Sequence, residues 1–373
     1  MIYLKQIDKV SAWEFYQNRD IISFSLPETV QQIEHHAFYN CREMENIFLP
    51  AFVAHLGNGV FMNCIRLQEI TLPEQISEIK TDAFAGCFSL GLVEFSENIT
   101  SIGDRSFYRC TNLSRVAFPS LLEKIGNSAF EHCSQLKSVK LPETVTNIGS
   151  RAFAECWNLG TARLSSNITI IKKWTFYNCW SLHAVKLPKE LTEISEEAFF
   201  NCASLKKIVL PKRLKKIRKR AFMGCGSLEK IYIPASVRKI GEDAFACCKN
   251  LHEIKMHDTT QCINSSLLEH AKILHLVKHH KHVRIEICRE HGITQEEKLL
   301  FRFWHEKNNF SRTIFFQQMQ KPEYKIPIAI LMAEEQEESV FKNYIQTNFK
   351  QVAQFLFRHG DEENSARLLT MCR

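Results

Sequence analysis

Apolar residues in this chain return every 23 positions. From Phe38 onward, phenylalanine recurs at 61, 84, 107, 130, 153, 176, 199, 222 and 245, and a cysteine follows each by three residues, from Cys41 to Cys248. An aliphatic residue precedes each phenylalanine by five positions, as Ile125 precedes Phe130, and Met or Leu follows it by six. One step back lies Phe15, with Val10 before it, Ile21, Phe24 and Leu26 after it, and Asn18 in the cysteine slot. Ten full units and one degenerate, capping first unit therefore keep one register without insertion. A fixed period of roughly 20–50 residues is the mark of a repeat architecture.

Each unit has its own internal pattern. Leu205, Ile208 and Leu210 end in alternation of apolar and polar residues, which predicts a short strand with one buried face. Pro211 closes it, and eight of the ten prolines occupy this slot, so proline acts as punctuation. Leu214 and Ile217 form a second inward pair. The Ala-Phe-x-x-Cys segment that follows reads as a tight helical turn. One unit cannot bury its apolar side alone, whereas stacked units form a continuous core. Eleven coils at ~4.8 Å per strand give a ladder on the order of 50 Å long.

The phrase Leu-Pro-x-x-Val-x-x-Ile-Gly-x-x-Ala-Phe-x-x-Cys-x-x-Leu, carried by Leu141 to Ile148 and Ala152 to Leu159, resembles the BspA-like leucine-rich-repeat family. The resemblance covers residues 1 to about 258. It implies an α/β repeat solenoid, a right-handed superhelix with a short strand ladder, that works by binding other macromolecules. It also implies an alternative role, since members are often bacterial surface proteins that bind host proteins.

The opening stretch, MIYLKQIDKVSAWEFYQNRD, has no apolar core of the kind an export signal needs. No segment approaches the ~20 apolar residues of a membrane span. The expectation is a cytoplasmic protein whose fourteen cysteines are thiols, with a secreted or surface adhesin as the alternative. A ladder of one thiol per coil cannot supply four ligands converging on a metal. No phosphate-binding loop, dinucleotide fingerprint or nucleophile elbow occurs. No catalytic residue, metal ligand or cofactor is therefore assigned.

A solenoid binds through side chains that its core does not use. The positions eight and ten after each phenylalanine flank the buried strand residue and point outward. Seven consecutive units place a basic residue there: Arg115, Lys140, Arg163, Lys186, Lys207, Lys230 and Lys255. The segment KRLKKIRKR at 212–220 adds seven basic residues at the adjoining edge. Like charges stacked ~5 Å apart repel, a cost that folding does not require. The stripe predicts a protein partner with an acidic surface. Nucleic acid is disfavoured, because the stacking aromatics expected beside such a stripe are mostly absent, Tyr232 excepted. Trp157 and Trp180 stand on adjacent units in a column that is small or polar on most other units, and they form a second candidate contact.

From Thr259 the 23-residue pattern stops. Leu267, Leu268, Ala271, Leu274 and Val277 have helical spacing, as do Leu299, Leu300, Phe303 and Trp304. Pro322 and Pro327 are expected to break the run, with one or two helices over 331–357. The segment 352–369 is faintly similar to an ankyrin-type helix pair. Residues 259–373 thus read as an all-α domain capping the solenoid at 1–258. His275 and His279 would share a helix face, but two ligands fall short of a zinc site, so the histidine-rich stretch 270–291 reads as a solvated basic helix.

Overall fold

The structure is a computed structural model that describes residues 7–257, 271–278, 281–286, 316–333 and 340–358. The 23-residue period becomes a parallel β-solenoid of about eleven turns. Two strand ladders run along it. The expected one contains three-residue rungs such as Ser138–Lys140, Thr161–Arg163 and Ala184–Lys186, each paired with the residue 23 positions on. The second is built by the other inward pair, in two-residue rungs such as Ser101–Ile102, Lys124–Ile125 and Asn147–Ile148. In both, the residue that points inward is apolar and on most rungs buried, as Val139 and Ile125 are, with Phe24 and Val185 half-buried.

The first ladder is not continuous. It divides into sheets of two, two, three and four strands, and Arg115 to Ala117 lies in none of them. Lys207 makes only an isolated bridge to Lys230. Val116 is only half-buried, although Val139 and Ala162 in the same slot are buried.

The Ala-Phe-x-x-Cys segment is not the helical turn its spacing suggests. It is a run of tight turns in which every fourth residue is left-handed. His36 and Asn40 flank Phe38 in this way, with φ of 55° and 63°. The amides of Ala37, Tyr39 and Cys41 bond within the coil, to residues three positions back. Those of His36, Phe38 and Asn40 instead reach carbonyls of the next coil, at 2.9, 2.9 and 2.8 Å. A helix would direct every amide along its own axis. Here the left-handed residues turn alternate amides sideways, and the segment becomes a third intercoil ladder.

This geometry stacks the phenylalanines. From Phe15 to Phe245, successive rings lie nearly parallel, with centroids from 4.9 Å (Phe15 to Phe38) to 5.8 Å (Phe153 to Phe176) apart. Each ladder cysteine donates its thiol to the carbonyl of the preceding coil's phenylalanine, as Cys133 does to Phe107 at 3.2 Å and Cys156 to Phe130 at 3.2 Å. Degenerate as it is, the first unit folds as a full coil, with Val10, Phe15 and Ile21 buried.

Beyond residue 258 the expected helix is overturned from Ile273 on, while residues 267–270 lie outside the described residues. Ile273–Lys278 is a strand that joins the first ladder in parallel beside Glu253–His257, after a step of 20 residues from Glu253 to Ile273. Lys281–Glu286 then pairs with it antiparallel. Leu274 and Val277 suit both periods, and a short apolar run does not distinguish them. The helices described in full after these strands are α1 (Pro322–Ala333), α2 (Val340–Thr347) and α3 (Phe349–Arg358). Pro322 opens α1, where a missing N–H costs nothing. Pro327 lies inside it instead of ending it, among the buried Tyr324, Ile326, Ile328 and Ile330, whose packing offsets the one lost backbone bond. Helix α1 lies beside Lys281–Glu286, so helix covers the strand at the end of this sheet. Leu299 to Trp304, and the second half of the ankyrin-like segment, lie outside the described residues.

Candidate interaction face

The stripe residues owe their direction to the strand. Val139, Ala162, Ile208, Ile231 and Ile254 point inward and are buried. Their neighbours on either side must then face solvent. Arg115, Lys140, Arg163, Lys186, Lys207, Lys230, Tyr232 and Lys255 are all exposed. They do not form one column. Lys140, Arg163 and Lys186 are directly paired on neighbouring rungs of one sheet. Lys207 and Lys230 are bridged in the other outward column, and Arg115 stands apart on its unpaired rung.

Their charges differ in how they are balanced. Lys230 Nζ sits 2.5 Å from Glu253, whose carboxylate also lies 3.3 Å from His275 Nε2. The hydrogen bond from Lys230 holds Glu253 below the usual carboxylate range. The other six stripe cations make no ion pair among the described residues. Glu143, on the loop beyond the Lys140 rung, is a carboxylate that feels two of these charges. Its carboxylate is held low by the Ser166 amide and hydroxyl, and further by Arg163 and Lys186.

The segment 212–220 behaves in the opposite way. Arg213 pairs with Glu190, Arg218 with Glu193 at 2.9 Å, Lys219 with Glu242 at 2.8 Å, and Arg220 with Glu197 at 3.6 Å. Lys216 lies 3.9 Å from Glu193. Its acidic partners sit on neighbouring coils, so the run that looks most basic in the sequence is largely neutralised.

A groove that sequence reasoning missed lies where the stripe changes column. It is lined by the apolar Ile208, Val209, Leu210, Ile231 and Tyr232, by Lys206, Lys207, Lys230 and Lys255, and by Glu229 and Glu253, and its volume is about 340 Å³. Val209 is 70% exposed. Tyr232 is fixed by its hydroxyl, 2.9 Å from His257 Nε2, and Lys255 Nζ lies 5.7 Å from its ring. The available signal was the replacement of Lys by Val209 and Tyr232 at position ten of two successive units.

Trp157 and Trp180 stack with centroids 5.4 Å apart and planes within 6°, and both are exposed. No cluster of three or more metal-binding side chains occurs among the described residues. His275 sits on a strand and not on the expected helix, and His279 lies outside the described residues. None of the described helices is long and apolar enough to cross a membrane. Burial pushes the ladder thiols from Cys41 to Cys225 up, Cys41 to about 11, so they are poor nucleophiles.

A search of the curated proteins finds no match. Among solved structures, the chain is similar to a leucine-rich repeat protein from Bacteroides ovatus, 27% identical over 73% of this chain and 88% of that one, with a TM-score of 0.45. It is also similar to a leucine rich cell surface protein from Faecalibacterium prausnitzii, 26% identical over 69% and 84%, with a TM-score of 0.43. The pneumococcal vaccine antigen PcpA is 19% identical over 74% and 80%, with a TM-score of 0.48. The BspA type leucine rich repeat region matches residues 8–134, 54–183, 100–225 and 169–286. Those matches together span every coil and the two strands after them, and the chain belongs to the BspA-type leucine-rich-repeat family.

Proposed function

We propose that this protein is a non-enzymatic interaction scaffold that docks an acidic surface of a protein partner on its strand face, between Arg115 and Lys255. The observation that carries the reading is selective pairing. The repeat readily sets a carboxylate 23 residues from a cation, and does so for Arg66 with Glu43, Arg105 with Asp82 and Arg213 with Glu190. On the strand face it instead sets Lys140, Arg163 and Lys186 one above another. Stability alone gives no reason for that arrangement, because like charges directly opposite are destabilising. A complementary acidic patch relieves the repulsion and speeds encounter. The groove at Val209 and Tyr232 supplies the apolar contact that a charged rim lacks. An intracellular setting belongs to the same proposal. Recovery of the chain in the envelope or medium fraction of its native host would replace the internal scaffold with an adhesin.

Poly-L-glutamate serves as a surrogate ligand until a partner is captured. Binding should weaken as salt rises, since salt screens such charges over ~8–10 Å. Replacing Lys186→Glu together with Lys207→Glu should lower affinity by at least about tenfold, or ~1.4 kcal/mol. Lys124→Glu with Lys239→Glu, on the second ladder, should change it little. Lys173 is unsuitable as a control because it pairs with Glu196 and lies 3.8 Å from the Trp174 ring. Equal binding by wild type and both double variants would reduce the stripe to ordinary solvated surface.

A further inference from the structure

The column that carries the tryptophans is incomplete. Four residues after successive phenylalanines stand Trp157, Trp180, Ala203, Gly226 and Lys249. The backbone repeats without change through this stretch: Ser181 N bonds Trp157 O at 3.1 Å and Ser204 N bonds Trp180 O at 3.0 Å. Ala203 therefore stands where a third stacked ring would be. Trp157 covers one face of Trp180, and no ring covers the other among the described residues. Above Gly226 there is open space, with nothing within 4 Å of where a Cβ would stand.

The polar groups around this gap are unequal. Trp157 Nε1 donates to Glu155 at 2.8 Å. The same carboxylate accepts from Asn178 at 2.8 Å, and Asn178 Oδ1 accepts from Asn201 at 3.1 Å. This ladder occupies the neighbouring amides. Trp180 Nε1 has no acceptor among the described residues, because Asn178 stands where Trp157 has Glu155. Lys249, three coils on from Trp180, is exposed and has no carboxylate within 4.0 Å among the described residues.

We propose that the step formed by Trp180, Ala203 and Gly226 receives an aromatic side chain of a protein partner, with a carboxylate farther along the partner's chain held by Lys249. The guest ring continues the stack of Trp157 and Trp180 at the spacing the coils already set. From the guest ring's level, two coils at ~4.8 Å leave ~10 Å to Lys249, which an extended segment spans in about three residues. A pyranose fits less well. Its hydroxyls need several partners, whereas Ala203 and Gly226 offer no side-chain hydrogen-bonding group and the Trp180 indole N–H supplies a single donor. This site is a different column of the coil from the basic stripe and stands independently of it.

The test uses the full chain with ¹⁵N-labelled indoles, so that each tryptophan gives one resonance, and Trp180→Phe assigns its own. The probe is the peptide Ac-Phe-Gly-Gly-Asp-NH₂. Its addition should move the Trp180 indole signal progressively up to about 10 mM, the weak range expected of so small a ligand, while Trp13 and Trp174 stay fixed. Replacing the peptide's Asp by Asn should weaken the response about threefold, as suits one exposed ion pair. Ala203→Trp should fill the slot and abolish the response while leaving circular dichroism unchanged. The proposal is overturned if Trp180 does not move, if the folded Ala203→Trp chain responds like wild type, or if cellobiose moves Trp180 and the peptide does not.

Discussion

Cysteine holds its slot for two reasons at once. It is small and apolar enough to be buried in every coil, and its thiol satisfies the phenylalanine carbonyl of the coil before. The first property is legible from the 23-residue ladder. The acceptor is not, because it lies 26 residues away in sequence. Phe130, packed between Phe107 and Phe153 at 5.1 and 5.5 Å, is fully buried. Phe130→Ala should cost ~3–5 kcal/mol, read from chemical unfolding curves. It should also expose Cys133 and Cys156 to a bulky maleimide that does not reach them in the wild type, where Cys247 is the exposed thiol among the described residues. Rapid labelling of both in folded wild type would refute the burial argument.

At the scale of the element, the turn explains why residue spacing misled. Apolar residues three apart, such as Phe38 and Cys41, suit a helix and a run of tight turns alike, and only the left-handed residues separate the two. Two columns of such residues flank the phenylalanine on every coil, from Trp13 and Gln17 to Asp243 and Cys247. None of them is Val, Ile or Thr, whose branched Cβ suits that conformation worst. The preceding bend obeys a second constraint. A Cβ on Gly149 would lie 2.3 Å from the carbonyl carbon of Gly126. Gly149→Ala should therefore destabilise by ~1–3 kcal/mol, because the coils must part. Gly226→Ala, in open space, should be close to neutral in the same unfolding assay. Equal effects would mean that the coils do not approach as closely as described.

For the whole molecule, the thiol ladder couples stability to pH. Burial raises the thiols in the fold, Cys41 to about 11 and Cys87, Cys133 and Cys179 further, whereas an unfolded thiol titrates near ~8.5. A group raised in the folded state keeps its full contribution below its unfolded value and loses it as pH climbs toward the folded one. Each buried thiol should thus remove up to ~1.4 kcal/mol per pH unit above about pH 8.5. With nine thiols raised in this way, from Cys41 to Cys225, alkaline unfolding should be steep, and ultraviolet thiolate absorbance should appear together with loss of circular dichroism. Thiolates forming near pH 9 with the fold intact would contradict the ladder's burial.

The sequence by itself determined the period, the inward columns, the first degenerate coil and the outward direction of the stripe. These follow from local alternation repeated in one register, which needs no knowledge of what each coil touches. Only the tertiary structure decided which charges are balanced. Arg213, Arg218 and Lys219 meet carboxylates 23 to 25 residues away, whereas Lys140, Arg163 and Lys186 meet one another. It also decided that Ile273–Lys278 extends the ladder, because backbone groups at the edge of a sheet are satisfied by the next strand whatever period its side chains suggest. Local pattern says which way a side chain points, but its partner stands one coil away, and stacking alone brings the two together.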